Sequence, residues 1–304
     1  MNPIDLQWTE HPDNPLISPT PPGLFIADPT VLLPEETPDG KWHLFANSIP
    51  PRIHEFVSSD GVSWSRIRTF ARGGMRAYVR HFEGCFHLFY EQIRWPVPLR
   101  SRIVHCTSVD LKTWSKPAEV IRPHLSWHGR FHRTVGNPCV VRWGNEWLLY
   151  YSAATVFLKD CGFVEPAYIG LARSNCLNGP WTVMKSPLLS PDSGDSFRNM
   201  GAGAIKVIGD EEQGVLWGFN NGIFRDRENR SRSAIRVLRS LDGANWEYAD
   251  NEPFVFPEPG WKRALVYAMD VRRVKDELWV YFNARDGWMV GHERIGLSVG
   301  RPVA

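Results

Sequence analysis

A carboxylate inside an apolar run is the first chemical feature of the sequence. Asp28 lies in Ala27-Asp28-Pro29-Thr30-Val31, where packing gives no reason for a charge. Pro29 cannot donate a ladder hydrogen bond, so Asp28 is expected at a gap near the start of a strand. A carboxylate held there can act as a general base, or it can accept hydrogen bonds from turn amides in a structural role. We therefore predict Asp28 as a catalytic residue.

Three further carboxylates are possible partners, because hydrolytic acid–base chemistry usually pairs a protonated carboxyl with an ionised one. Glu91 ends the run Leu88-Phe89-Tyr90-Glu91, and Asp270 lies in the apolar run Ala268-Met269-Asp270-Val271. We predict both as catalytic. The alternatives are a surface charge for Glu91 and an ion pair with a nearby arginine for Asp270. Glu165, in a long loop between two predicted strands, is predicted to line the substrate site, with a solvated surface position as its alternative.

Arginines recur just before or at the start of the later predicted strand pairs. They are Arg76, Arg133, Arg198 and Arg263. Guanidinium groups bind carboxylate or phosphate through two parallel hydrogen bonds, so a ring of them would suit a sugar acid, a phosphorylated sugar or inorganic phosphate. A solvated rim with ordinary ion pairs is the alternative, since the chain uses 27 arginines against eight lysines throughout. We predict that these arginines bind substrate.

The segment from His124 to His132 carries three histidines at four-residue intervals. That spacing suits a metal site on a helix, but Gly129 argues against a helix and the segment has no carboxylate. No phosphate-binding glycine loop or dinucleotide fingerprint is present either. We therefore predict no metal ion and no other cofactor, and we predict that Trp127 and His132 line the substrate site.

Composition narrows the class of protein. The 304 residues carry 35 basic and 33 acidic side chains, so no broad electrostatic footprint for nucleic acid is present. No apolar run is long enough for a transmembrane helix, and the first residues do not resemble a signal peptide. The five cysteines show no metal-binding spacing, which favours free thiols over disulfides. We expect a cytoplasmic protein that binds neither membranes nor nucleic acid.

An internal repeat indicates the elements that must position these residues. A turn that resembles Ser-x-Asp-Gly-x-x-Trp occurs four times, and its last residues are Trp64, Trp114, Trp181 and Trp246. Pairs of β-rich runs can be aligned by eye. They are 28–33 with 42–47, 76–82 with 86–91, 137–143 with 147–152, 201–208 with 215–220, and 267–274 with 278–283. Almost nothing follows a helical period.

Radial repetition of four-stranded units at such intervals is typical of β-propellers. We predict an all-β fold, a five-bladed propeller of four-stranded antiparallel blades, formed by residues 1–304 as a single domain. A large β-sandwich is the alternative, but it does not explain a turn that recurs in register.

The sequence resembles the five-bladed propeller glycosidases, that is, glycoside hydrolase family 43 with its arabinanases and β-xylosidases, and their relatives. The resemblance lies in the Ala27–Val31 strand, the recurring turns, the run Ile169-Gly170-Leu171-Ala172-Arg173-Ser174, and the closing run Glu293-Arg294-Ile295-Gly296-Leu297-Ser298. It covers roughly residues 10 to 300. It implies a sugar site at one end of a central funnel.

The resemblance also implies catalytic positions, and this chain departs from two of three. The family has an Asp base on the first strand of blade 1, which Asp28 matches. Its second Asp, on the first strand of blade 3, is matched by Asn137, and its Glu acid on blade 4 falls near Met200–Gly203, where no carboxylate is present. We predict Asn137 as a substrate-binding residue.

Three hypotheses follow. The first is a divergent glycoside hydrolase with its site around Asp28. The second is a sugar-binding or repurposed propeller without turnover, because expected groups are missing. The third is a glycoside phosphorylase-like enzyme with an arginine-lined anion site. In each case the expected ligand is a sugar or a sugar acid.

Overall fold

A computed structural model describes residues 1–93 and 100–303. Twenty strands form five separate antiparallel sheets of four strands each, and the only helical elements in the described residues are three short 3₁₀ turns. These turns span Pro3–Asp5, Pro34–Glu36 and Ser126–His128. The predicted all-β, five-bladed propeller of four-stranded blades is confirmed. No helix of the described residues is long or apolar enough to cross a membrane.

The first four blades each consist of four consecutive strands, ordered from the axis outwards. Blade 1 contains β2 Ala27–Leu32, β3 Trp42–Ser48, β4 Arg52–Ser58 and β5 Ser65–Arg72. Blade 2 contains β6 Gly74–Phe82, β7 Cys85–Ile93, β8 Ser101–Ser108 and β9 Ala118–Ile121. Blade 3 contains β10 Val135–Trp143, β11 Glu146–Leu158, β12 Phe163–Ser174 and β13 Thr182–Val183. Blade 4 contains β14 Ile205–Asp210, β15 Val215–Arg225, β16 Ser231–Ser240 and β17 Glu247–Tyr248.

Blade 5 closes the ring with both ends of the described chain. Its three inner strands are β18 Leu265–Val274, β19 Glu277–Arg285 and β20 Glu293–Pro302. Its outermost strand is the N-terminal β1, Leu6–Glu10, which pairs antiparallel with β20. The last blade is therefore held by pairing between residues about 290 positions apart, from Leu6 with Pro302 to Glu10 with Ser298.

The recurring turn links each blade to the one before it. In three of the four copies an aspartate accepts hydrogen bonds from two backbone N–H groups of its own turn, as Asp242 does from Ala244 and Asn245 at 2.8 Å. The tryptophan that ends the turn then packs on an aromatic ring of the preceding blade. These pairs are Trp64 with Tyr281, Trp114 with Phe70, Trp181 with Phe89, and Trp246 with Tyr150.

A bulge near the start of the inner strand turns side chains toward the axis in four of the five blades. The register of pairing shifts between Ala27 and Thr30 in blade 1, and equivalent shifts occur in blades 2, 3 and 5. The residue in the bulge has positive φ in blades 1 to 3: Asp28 at 54°, Arg76 at 53° and Asn137 at 49°. Such bulges turn a side chain out of the regular alternation of a strand. Blades 1, 2, 3 and 5 thereby present one residue each, Asp28, Arg76, Asn137 and Tyr267, to the same end of the axis.

Candidate active site

A cavity of about 290 Å³ lies at this end of the propeller axis, which we call the axial cavity. All five blades contribute to it. Its lining includes the bulge residues Asp28, Arg76 and Asn137, together with Tyr267 at the equivalent place in blade 5. In blade 4 the equivalent residue is Gly203, just before β14, with φ of 63°, where a Cβ would collide with the backbone carbonyl of Asn221. Backbone packing therefore requires glycine at this place in blade 4.

Asp28 is held by its backbone. Its N–H donates to the side-chain oxygen of Asn283, on the second strand of blade 5, at 3.0 Å. Arg76 is anchored in the same way, because its N–H donates to the side-chain oxygen of Asn47 in blade 1 at 2.7 Å. The left-handed backbone of these residues costs about 1–2 kcal/mol each outside glycine, and the asparagine hydrogen bonds hold it in place. The Asp28 carboxylate itself forms no ion pair among the described residues.

Glu165 is the second carboxyl group of the axial cavity. It lies on β12, paired with Val156 of β11. Burial raises its pKa, the neighbouring Asp28 raises it further, and Arg76 and Arg285 lower it, with a net rise to about 8. Because this value lies above neutral pH, Glu165 is mostly protonated when the protein is at pH 7.

A third carboxyl group, Glu293, stands at the start of β20 and lines the same cavity. It accepts a hydrogen bond from the side-chain nitrogen of Asn283. Burial raises its pKa well above the usual range, and the nearby Asp28 and Glu165 add to the rise. The sequence pattern identified Glu293 only as part of the closing strand, and it was not predicted as a site residue. The sequence does contain a clue to this position, because Glu293 comes just before the buried Ile295 at the start of a third strand. Third strands begin at the same end of a blade as first strands.

Arg76 and Glu91 form an ion pair beside the axial cavity. The Nη1 atom of Arg76 lies 2.8 Å from Oε2 of Glu91, which is only 2% exposed and packs against Gly136. Burial disfavours the charge of Arg76, but Glu91, Asp28 and Glu165 outweigh it and raise its pKa. Glu91 does not line the axial cavity. It lines a smaller neighbouring cavity of about 160 Å³, so its position fits the holding of Arg76 rather than contact with a ligand in the axial cavity.

Asp270 lies deeper on the axis, outside the lining of the axial cavity. It is fully buried, accepts from the N–H of Val31 at 2.7 Å, and forms an ion pair with Arg80 of blade 2. Burial raises its pKa, but Arg80 above all outweighs this and holds the pKa below the usual value. The prediction of Asp270 as a catalytic residue does not fit this position, because its charge is already compensated and it lies away from the cavity. Its stated alternative, an arginine ion pair, is what the structure contains, although the partner is Arg80.

The four predicted arginines do not form a ring around the axis. Of these four arginines, only Arg76, which lies within a strand, lines the axial cavity. Arg133, Arg198 and Arg263 lie in segments that connect the strands, and none of them lines the axial cavity. Arg133 lines a separate groove between blades 2 and 3, Arg198 lies near Asp192 and Asp195, and Arg263 donates to the carbonyl of Asp286.

An arginine that sequence reasoning missed lies in the axial cavity instead. Arg285, at the end of β19, is 3% exposed and lies between the rings of Phe25 and Phe163. Its Nε atom donates to the carbonyl of Gly287 at 2.7 Å, whereas its Nη1 atom is buried without a hydrogen-bond partner among the described residues. The hydroxyl of Tyr267 is also buried and has no hydrogen-bond partner among the described residues.

The histidine-rich segment takes a structural position beside blade 3. Trp127 packs against Tyr151 and donates to the carbonyl of Lys185 at 2.9 Å, and His132 lies 3.2 Å from the hydroxyl of Thr155. Neither lines the axial cavity. No group of three or more potential metal ligands occurs in the described residues. Asn137, by contrast, does line the axial cavity.

The axial cavity therefore combines three half-buried carboxyl groups with donors that lack partners among the described residues. Two of the carboxyl groups, Glu165 and Glu293, have a raised pKa. Carboxyl groups whose pKa is shifted by their surroundings are typical of acid–base catalysis. The unpartnered donors of Tyr267 and Arg285 are suited to hydroxyl or carboxylate oxygens of a ligand.

Comparisons with known proteins show a shared fold. A putative glycoside hydrolase from Parabacteroides distasonis has 14% identity over 95% of both chains, with a TM-score of 0.67. An N-acetylgalactosamine deacetylase from F. plautii, in complex with blood group B trisaccharide, has 13% identity over 97% of this chain and 95% of its own, with a TM-score of 0.67. An α-L-arabinofuranosidase from Lactobacillus brevis has 14% identity over 93% and 92%, with a TM-score of 0.62. The sequence matches no protein-family model and no curated protein. The resemblance to the propeller glycosidases is confirmed at the level of fold.

Proposed function

We propose that the protein is a glycoside hydrolase whose active site is the axial cavity, with Asp28 as general base and Glu165 as general acid. The observation that carries the proposal is the pKa of Glu165, raised to about 8, beside a second carboxyl group in the same cavity. Both side chains are half-buried, and Asp28 forms no ion pair among the described residues, so Glu165 is suited to donate a proton and Asp28 to accept one. Similar folds among glycoside hydrolases add support.

In this mechanism Glu165 donates its proton to the glycosidic oxygen as the bond to the leaving group breaks. Asp28 accepts a proton from the water molecule that attacks the sugar carbon. The neutral carboxyl of Glu293, the Tyr267 hydroxyl and the Asn137 amide offer hydrogen bonds to the sugar hydroxyls. The acid thus comes from the third strand of blade 3, whereas the family that the sequence resembles has it on blade 4.

The test measures hydrolysis of a panel of p-nitrophenyl glycosides and of the matching unactivated glycosides. We expect Glu165→Gln to lose about 10²-fold or more in kcat on unactivated substrates and much less on nitrophenyl substrates, whose leaving group needs little protonation. Asp28→Asn is expected to lose activity on both. Equal losses of the Glu165→Gln variant on both substrate types would contradict its role as the acid. Sugar binding without turnover on any substrate would favour a binding protein.

A second candidate function is phosphorolysis. It is favoured by Arg76 and Arg285, which both line the axial cavity and can hold an oxyanion. Under this alternative the same glycosides react only when inorganic phosphate is present, and the product is a sugar 1-phosphate. Turnover that is independent of phosphate would leave hydrolysis as the function.

A further inference from the structure

A basic groove lies on the same face of the propeller, outside the axial cavity. We call it the outer groove and define it by four arginines and one glutamate, which are Arg100, Arg102, Glu119, Arg122 and Arg133. The groove lies along the top of blade 2 where this blade meets blade 3. Four guanidinium groups against one carboxylate give it a strong positive potential, and such grooves concentrate anions.

The single carboxylate of the outer groove is already shared. Glu119 accepts from Arg102 at 3.0 Å and also forms an ion pair with Arg122. Arg100 and Arg133 have no carboxylate partner among the described residues, and the Nε atom of Arg133 is buried without any hydrogen-bond partner there. The outer groove therefore contains two guanidinium groups that have no carboxylate partner among the described residues, which suits them to bind an oxyanion.

The small cavity that contains Glu91 adjoins the axial cavity and is lined by residues that neighbour those of the outer groove. On its inner side it shares Arg76 and Glu165 with the axial cavity. On its outer side its residue Ile93 pairs with Ser101, which lines the outer groove, and its residue Thr134 follows Arg133 in the chain. Arg76 lies on β6 and Glu119 on β9, three strand spacings apart, which corresponds to about 14 Å. A chain of a few linked sugar rings can span that distance.

We propose that the outer groove binds an anionic substituent, a carboxylate or a sulfate ester, of a glycan whose cleaved end occupies the axial cavity. The substrate class is therefore an acidic oligosaccharide. The identification of the occupant as a glycan rests on the proposed function, whereas the choice of an acidic one rests on the arginines of the groove. Contacts of this kind weaken as salt rises, because exposed charges are screened within about 10 Å at 0.1 M.

The test measures binding by calorimetry in the Asp28→Asn background, so that ligands are not cleaved. The ligands are oligogalacturonides, sulfated carrageenan oligosaccharides and neutral maltooligosaccharides of equal length. We compare the Arg100→Gln, Arg133→Gln double variant with a charge-matched control, Arg66→Gln, Arg227→Gln, whose arginines are exposed and lie outside the groove. We expect one acidic series to bind at least tenfold more tightly than the neutral series. The groove variant should lose this preference and the control should keep it.

Three binding results would overturn the inference. The first is equal affinity for acidic and neutral chains, and the second is the same loss in both double variants. The third is binding of monomeric galacturonate or free sulfate as tightly as the oligosaccharides, which would make the groove a site for an isolated anion. The carboxylate and sulfate series distinguish the two sources of the anion. Hydrolysis of neutral glycosides with no preference for acidic substrates would contradict this inference but not the proposed function. Arginine-dependent binding of acidic oligosaccharides without turnover would contradict only the proposed function.

Discussion

Two carboxyl groups near the same axis, one fully buried and one half-buried, behave in opposite ways. Asp270 is fully buried, pairs with Arg80 and has a lowered pKa. Glu165 also lies in a desolvated setting, but it has no ion pair among the described residues and its pKa is raised to about 8. The two pKa values differ because Arg80 compensates the charge of Asp270, not because Asp270 is less buried. A paired carboxylate ties blades together, whereas an unpaired one keeps a proton and is available for chemistry.

The compensated pair predicts the largest effect. Asp270→Asn leaves the Arg80 guanidinium buried without its counter-charge, and we expect a loss of about 3–5 kcal/mol in the free energy of unfolding. Urea denaturation followed by tryptophan fluorescence measures it. Asp276→Asn, at an exposed aspartate of the same blade, is the matched control and should change little. If Asp270→Asn were as stable as the control, the ion pair would not be structural.

A second change sharpens the same point. In the double variant Asp270→Asn, Arg80→Met the uncompensated charge is removed together with its partner. We expect this protein to be more stable than the Asp270→Asn single variant, because the main penalty is the unpaired buried cation rather than the lost attraction.

The proposed general base, Asp28, predicts the next largest effect. Asp28→Asn keeps the shape of the side chain and the backbone hydrogen bond to Asn283, so we expect nearly unchanged stability and a loss of about 10²-fold or more in kcat. Thermal unfolding and steady-state kinetics are measured on the same preparation. A variant that unfolds would identify Asp28 as a structural anchor, and a fully active one would remove it from the mechanism.

The sequence predicted the architecture well because the repeat is periodic. Aligned first strands all begin at the axis, so Asp28, Arg76 and Asn137 could be placed there from sequence. Asp270 was assigned to the site because no pattern distinguished it from Tyr267, the bulge residue three positions earlier in the same strand. Which of the two residues faces the cavity depends on where the register of the β18–β19 pairing shifts. That register is set by strand pairing in the folded protein.

The residues that were missed belong to other strands. Arg285 ends a second strand and Glu293 begins a third, and antiparallel connection brings both to the same end of blade 5 as the start of β18. An alignment of first strands alone does not include them. Arg133, Arg198 and Arg263 were misplaced at the axis for the opposite reason, because the connecting segments that carry them have no fixed register.

The unpaired carboxyl predicts a stability effect of opposite sign to that of Asp270. A carboxyl group with a raised folded pKa is neutral in the native state but ionised in the unfolded state between its ordinary pKa near 4.5 and about 8. The native state therefore loses stability as pH rises through that window. Glu165→Gln removes this loss, and we expect its melting temperature to exceed that of the wild type by a few degrees at pH 8 and to match it at pH 4. A destabilised variant at pH 8 would contradict an uncompensated Glu165.

The smallest effect concerns the residue that holds Arg76. Glu91→Gln removes a negative charge that lies 2.8 Å from the Nη1 atom of Arg76. The positive charge of Arg76 is then less compensated, and it acts more strongly on Glu165. Because Arg76 lowers the pKa of Glu165, that pKa should fall, and activity that needs the protonated acid should decline at a lower pH than in the wild type. We expect the basic limb of the kcat profile to move down from about pH 8 by a fraction of a pH unit, whereas Arg76→Gln should move it upward. A purely structural role for Glu91 would lower kcat at every pH and leave the limb in place.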